Sequence, residues 1–289
     1  MEVTFWGCRG SVPVSGPHYI RHGGATTCIE VAIAGQDPST PRTVVLDCGS
    51  GLASLGRSWG PRPPSALVLV SHMHWDHIQG FPFFGPLFRP DGAFTFVSVP
   101  RQGQTLRQVL AGQMTRPTFP VGLDIVPAEL QFREVADVGS ARFGALQVRW
   151  CRASHPGGCT AWRLDHGGAS VVFTGDVECD GTVPDEIVGL AEGADLLIMD
   201  SQYLPEEIAG RRGFGHSTPL EAAAVGVAAG VGRLVLTHHD PSHTDATLDR
   251  KLALARACAP RLQIDNAHEG LSLGLAAAPG HDDLFGARL

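Results

Sequence analysis

His72, Met73, His74, Trp75, Asp76 and His77 form an H-x-H-x-D-H string one residue after the apolar run Ala66-Leu67-Val68-Leu69-Val70. A short, continuous, branched run of this kind is expected of a strand buried on both faces, and Pro63 and Pro64 punctuate its start. The polar cluster therefore stands where a buried strand ends and a loop begins, the edge at which open α/β sheets bind ligands. A single histidine there is ordinarily a satisfied core or surface side chain. Three imidazoles and a carboxylate within one short string are costly to gather at a buried edge unless a cation uses them. Imidazole and carboxylate together are a donor set for zinc, manganese or iron.

Other strand-like segments end in the same way. Ala169–Gly175 runs into Asp176, Ala194–Met199 into Asp200, and Arg233–Thr237 into His238, His239 and Asp240. Gln147–Trp150 alternates and leads on to His155, and Thr43–Leu46 leads into Asp47 and a glycine turn. A lone Asp after a strand is ordinarily a turn residue; the recurrence implies one sheet edge serving one polar site. Leu67–His72 also echoes Leu234–His238, as two halves of similar build would.

At this point the chain resembles the metallo-β-lactamase superfamily over nearly its whole length. The resemblance implies an α/β fold, a four-layer αββα sandwich, and two divalent metal ions, Zn or Mn. Carried over position by position, His72, His74 and His155 would hold one ion, Asp76, His77 and His238 the second, and Asp176 would bridge them. Gly213-Phe214-Gly215-His216-Ser217-Thr218 looks like the His-Ser-Thr motif of tRNA 3′-processing endonucleases, and Ser71–Phe84 looks like the phosphodiesterase branch as a whole. The bacterial endonuclease grips tRNA with an arm inserted between its third metal histidine and its bridging aspartate. Here the interval from His155 to Asp176 leaves no room for one.

Composition narrows the substrate further. The net charge is −7, from 29 acidic and 22 basic residues, with no basic run. Nucleic-acid polymers are held by basic patches that displace counterions. The expected partner is therefore a small molecule, a phosphodiester, with tRNA disfavoured. A homodimer is compatible with the sequence and not required by it. No run is apolar and long enough for a transmembrane helix, and Met1–Trp6 reads as a first strand rather than a signal peptide. Seven cysteines without a C-x-x-C pair read as reduced thiols, so a cytoplasmic protein without membrane association is expected. Cys48 reads as a buried structural thiol.

With 43% hydrophobic residues and no linker, residues 1–289 are expected to form one domain. Helices are expected over Pro219–Val231, capped by Ser217 or Thr218, and over Ala246–Ala257. Residues 101–135 read either as a lid over the site or as a structural insertion, and 280–289 as a loose tail. The Gly-rich loops Arg9-Gly10-Ser11 and Gly23–Thr27 could approach a phosphate with backbone N–H groups.

The expected reaction is dinuclear hydrolysis of a small or cyclic phosphodiester, with a hydroxide between the two ions as nucleophile. Asp76 would accept the proton of that water, and His216 would protonate the leaving alkoxide. Asp200 could orient His216 or a metal-bound histidine, Asp47 would support a metal ligand or the loop rather than bind metal, and His239 and His243 could touch substrate. Two other classes use the same residues: hydrolysis of a carbon ester, lactone or lactam, and a non-hydrolytic redox or biosynthetic accessory role. His216 favours the first reading.

Overall fold

A computed structural model describes residues 1–35, 37–61 and 64–275. Pro63 and the expected tail at 280–289 lie outside them. The first sheet contains β1 (Glu2–Gly7), β2 (Cys28–Ala32), β3 (Thr43–Leu46), β4 (Ser65–Leu69), β5 (Ala93–Ser98), β6 (Glu129–Glu134) and the last strand, β14 (Ser272–Gly274). The second contains β7 (Gly139–Phe143), β8 (Leu146–Ala153), β9 (Cys159–His166), β10 (Ala169–Phe173), β11 (Leu196–Asp200), β12 (Arg233–Thr237) and β13 (Gln263–Asn266). Each sheet has seven strands, in the orders β14-β1-β2-β3-β4-β5-β6 and β13-β12-β11-β10-β9-β8-β7.

Both sheets are antiparallel at one end and parallel at the other. In the first, β1–β3 pair antiparallel and β3–β6 parallel. In the second, β7–β10 pair antiparallel and β10–β13 parallel. The two halves are thus similarly built, but the echo between Leu67–His72 and Leu234–His238 does not mark equivalent positions. By strand order β4 corresponds to β11, and β12 to β5. The likeness has another origin: inner parallel strands are buried on both faces and converge on the same branched apolar run.

Side chains alternate between layers, as strand geometry dictates. Leu67 and Leu69 of β4, Val171 and Phe173 of β10, and Leu196 and Ile198 of β11 fill the space between the sheets, with Trp162 fully buried among them. Val68, Val172 and Leu197 face outward onto helices. Full burial of each such side chain stabilises the fold by about 1.5–3 kcal/mol. The outer face of the first sheet carries α1 (Leu52–Ser58) and α3 (Leu106–Gln113), with α2 (Trp75–Ile78) at its edge, and that of the second α4 (Asp185–Ala191), α5 (Pro219–Ala228) and α6 (Asp245–Cys258). The result is a four-layer αββα sandwich.

α5 begins where its sequence requires. Thr218 accepts from the Glu221 amide while the Glu221 carboxylate accepts from the Thr218 amide, a complete capping box. The helix stops short of the expected Val231, because Gly230 turns with φ +63°. Within 101–135, Leu106, Leu110, Met114 and Leu123 pack into the layer outside the first sheet, and β6 is that sheet's edge strand. Of this segment, Arg101, Gln102, Gln104 and Val109 line a cleft beside His72 and His74.

Six of the seven cysteines are buried and all are free thiols. Burial, reinforced by Asp47, pushes the Cys48 thiol far up, as an inert structural thiol requires. No helix among the described residues is long and apolar enough to cross a membrane.

Candidate metal centre

The parallel strands of each sheet end at one side, and β8 runs parallel to β10 because two antiparallel pairings separate them. The segments after β3, β4, β8, β10, β11 and β12 therefore meet at a common edge. There the structure brings together all seven residues that the sequence suggests as ligands. His72, His74, His155 and Asp176 form one cluster, and Asp76, His77, Asp176 and His238 another.

Asp176 belongs to both, and its two oxygens face opposite ways. Oδ2 lies 3.5 Å from His72 Nε2 and 3.8 Å from His155 Nε2. Oδ1 lies 3.2 Å from both His77 Nε2 and His238 Nε2. In the first cluster His155 Nε2 is 3.0 Å from His74 Nδ1. In the second His77 Nε2 and His238 Nε2 are 3.2 Å apart, with Asp76 Oδ2 at 3.4 and 3.1 Å. Nitrogens bound at 2.0–2.1 Å around a tetrahedral ion stand about 3.3 Å from one another, so both clusters are the right size.

Protonation fits a cation as well. Burial holds His72, His74 and His155 below the usual imidazole range, leaving lone pairs free. Burial would also lower His77, but Asp176, Asp76 and Asp47 outweigh it and raise it well above normal. Asp76 and Asp176 are held far below the carboxylate range despite burial, by the histidines around them. The site thus demands positive charge at its centre. His72 Nε2 and Asp176 Oδ1 are buried without a hydrogen-bond partner, each aimed inward. Imidazole and carboxylate donors so arranged fit a divalent ion such as zinc or manganese.

The groups behind these ligands fix their ring orientation. Asp47 can only accept, so His77 Nδ1–H donates to it at 2.7 Å and presents Nε2 to the cluster. The Ser71 hydroxyl donates to the same Asp47 oxygen at 2.7 Å and in turn accepts from His72 Nδ1–H at 3.1 Å. Asp47 therefore supports one histidine of each cluster. His155 Nδ1–H donates to the Gly215 carbonyl at 2.8 Å. That carbonyl is held by Glu178, which accepts from the amides of Gly213 and Gly215. Gly10 lies against His238: a Cβ there would sit 2.5 Å from Nδ1. Ser71, Gly215 and Gly10 adjoin motif residues in sequence, but nothing in a single chain marked them or Glu178 as supports.

His216 Nδ1–H donates to Asp200 Oδ2 at 2.7 Å. Its ring stacks on His238, with centroids 4.9 Å apart, and meets Tyr203 edge-on. Burial would lower His216, but Asp200, with Asp176 and Asp76, outweighs it and raises it to about 9. Asp200 thus orients His216, one of the two tasks its position suggested.

Two expectations are corrected. His239 and His243 do not face the site: both are buried, His239 beside Lys251 at 3.4 Å and His243 against Glu207 at 3.1 Å. The chain turns at His238, φ +55°, so consecutive side chains point to different sides. Nor do the Gly-rich loops offer their amides to a phosphate. The amides of Gly24 and Ala25 both donate to Glu269 at 2.7 Å, and that of Ser11 to Asp76 at 2.7 Å. They do bind anions, but internal ones.

Comparison with known proteins agrees with this geometry. A family model described as "Beta-lactamase superfamily domain" matches residues 42–239. The chain is 25% identical over 245 residues to the probable metallo-hydrolase YhfI of Bacillus subtilis, covering 82% of this chain and 86% of that protein. The crystal structure of YhfI superposes with TM-score 0.69 at 21% identity, over 94% of this chain and 98% of that one. Ribonuclease Z of Gemmatimonas aurantiaca is 28% identical over 281 residues, covering 81% and 87%. A diphosphatase of the PhnP family shares the fold with TM-score 0.67 at 16% identity, over 96% and 98% of the two chains. With the shared αββα fold and a His/Asp centre suited to divalent metal, the chain belongs to the metallo-β-lactamase superfamily and is a hydrolase of it.

Proposed function

We propose that the protein is a dinuclear metal-dependent phosphodiesterase acting on a small or cyclic phosphodiester. The observation that carries this reading is the placement of Asp176, with one oxygen toward each histidine cluster. His72, His74 and His155 would hold one ion and Asp76, His77 and His238 the other. Two divalent ions there would supply an activated water and neutralise the phosphoryl oxygens. Asp76 would hold the second ion and is, by its place in the motif, the candidate acceptor of that water's proton. Despite burial, His77 and His238 hold its carboxylate below the usual range, so it would serve first as a charged ligand. Despite burial, Asp200 raises His216 above the usual imidazole range, which favours the charged form, and the ring lies beside the second cluster. It is the proton donor to the departing alkoxide.

A small substrate is favoured over tRNA by the net charge of −7 and by the interval from His155 to Asp176. That interval is filled by β9 and β10, joined through the tight turn Gly167-Gly168. The ribonuclease Z relative makes precursor tRNA a necessary comparison. With metal supplied, bis(p-nitrophenyl) phosphate should be cleaved, and faster than a β-lactam, a lactone or precursor tRNA. Asp76→Ala should cost one ion per chain and most of the activity. A lactam or lactone turned over faster than the diester, or efficient tRNA maturation, overturns the reading.

A further inference from the structure

A cleft of about 300 Å3 opens beside the first cluster, between the turn after β5, the start of α3 and the turn after β8. His72 and His74 form one wall, so a group in the cleft lies next to whatever reacts at the centre. Met73, Val109 and Pro156 add apolar surface, and Gln102 and Gln104 add carboxamides.

The charge of this cleft is already spent. Arg101 is the one cation among its lining residues, and the guanidinium is paired with Asp137 and donates to Thr160 Oγ1 at 2.9 Å. It is also packed down: a Cβ at Gly158 would sit 3.0 Å from Nη1. Arg101 Nε is left without a partner but is buried, so a second anionic group would find the cleft's one guanidinium turned to Asp137 and Thr160 rather than into the open space. What remains is two carboxamides, each able both to donate and to accept, between apolar walls.

The turn carrying them is built at some cost. Arg101 and Gln104 exchange both backbone hydrogen bonds, at 3.0 and 2.9 Å, and the two central residues have positive φ, Gln102 +50° and Gly103 +75°. Such a turn prefers Asn, Asp or Gly where Gln102 stands. The longer side chain has a different use. Its Nε2 lies 3.5 Å from where a Gly157 Cβ would be, and His74 Nε2 lies 4.0 Å from the same point. Gln102 and His74 thus flank the same point at Gly157, and strained residues of this kind gather at ligand clamps.

We propose that this cleft is a specificity subsite for an uncharged ring carrying both hydrogen-bond donors and acceptors, a nucleobase or a sugar, attached to the scissile phosphate, with Gln102 and Gln104 reading its edge. The inference rests on the phosphodiesterase reading for its substrate and on the cleft alone for its ligand.

The test compares three p-nitrophenyl phosphodiesters on the metal-loaded enzyme: the thymidine 5′-ester, its abasic deoxyribose counterpart and the methyl ester. The subsite predicts the thymidine ester, or both ring-bearing esters, to exceed the methyl ester in kcat/KM. A base ligand separates thymidine from abasic deoxyribose, and a sugar ligand does not. Gln102→Leu should cut the ring-to-methyl ratio about five- to tenfold, the effect of one lost hydrogen bond. Gln102→Asn suits the turn but falls short of the ring, so it too should lose the ratio with unchanged thermal stability. No ring preference in the wild type, or a ratio untouched by both variants, overturns the subsite. If no diester is cleaved, the phosphodiesterase reading fails. Thymidine binding measured by saturation-transfer NMR, and its loss in Gln102→Leu, then decides the subsite separately.

Discussion

One carboxylate oxygen of Asp47 accepts from His77 Nδ1–H at 2.7 Å and from the Ser71 hydroxyl at 2.7 Å, so a residue outside both ligand clusters orients a histidine in each. Loss of such a supporting carboxylate typically costs 10–100-fold in metal affinity. Asp47→Asn should weaken metal binding by about this factor, and the second cluster more than the first, because His77 is held directly and His72 only through Ser71. Chelator competition on the purified variant measures it. Unchanged affinity in both clusters would show that packing alone aligns the rings.

His216→Ala should slow cleavage of an alkyl phosphodiester by about 10²–10⁴-fold, the usual contribution of a general acid, with metal content intact. The loss should shrink for p-nitrophenyl esters, whose leaving group departs without a proton. Comparable losses on both substrates would indicate a binding or structural role instead.

Gly215 has φ +91°, and a Cβ there would stand 2.1 Å from His155 Nδ1. The ring or the loop must therefore move in Gly215→Ala. The expected outcome is depletion of the first ion and a stability loss of about 1–3 kcal/mol, typical of strain at a special backbone position. Metal stoichiometry and urea unfolding of the variant report the two effects; full metal content with wild-type stability contradicts the expectation.

Lys251 is fully buried in α6, and burial lowers its amine to about 7. Asp200, Asp240 and Glu207 oppose that shift, and Arg9 adds to it; His239 and the Gln202 carbonyl lie within contact distance. The unfolded chain binds the proton more tightly, with an ordinary value of 10.5, so stability from this group rises as pH climbs from about 7 toward 10.5 and is lowest below 7. In Lys251→Met that slope should disappear. Thermal unfolding from pH 6 to 10 should show the variant gaining most on the wild type at the acid end, and parallel curves would contradict it.

Much of this protein is legible from the sequence because the relevant signals are local. Apolar runs such as Leu67–Val70 and Val171–Phe173 are dictated by burial on two faces, and the donors that follow them are contiguous with those runs, so both strand and ligand can be read in one dimension. Ser217 or Thr218 before Pro219 marks a helix start locally, and the structure selects Thr218. Other features required the tertiary structure. That Asp47 supports a ligand could be expected from its place after β3, but which ligands, His77 and through Ser71 His72, is decided by β3 and β4 lying side by side. The amides of Gly24 and Ala25 are taken by Glu269, a residue from the far end of the chain that β14 brings beside β1. His238 and His239 are neighbours in sequence with identical side chains, yet one faces the metal clusters and the other the buried Lys251. The direction in which each points is set by backbone torsion and by which layer packs against it, and neither quantity is carried by the identity of the residue.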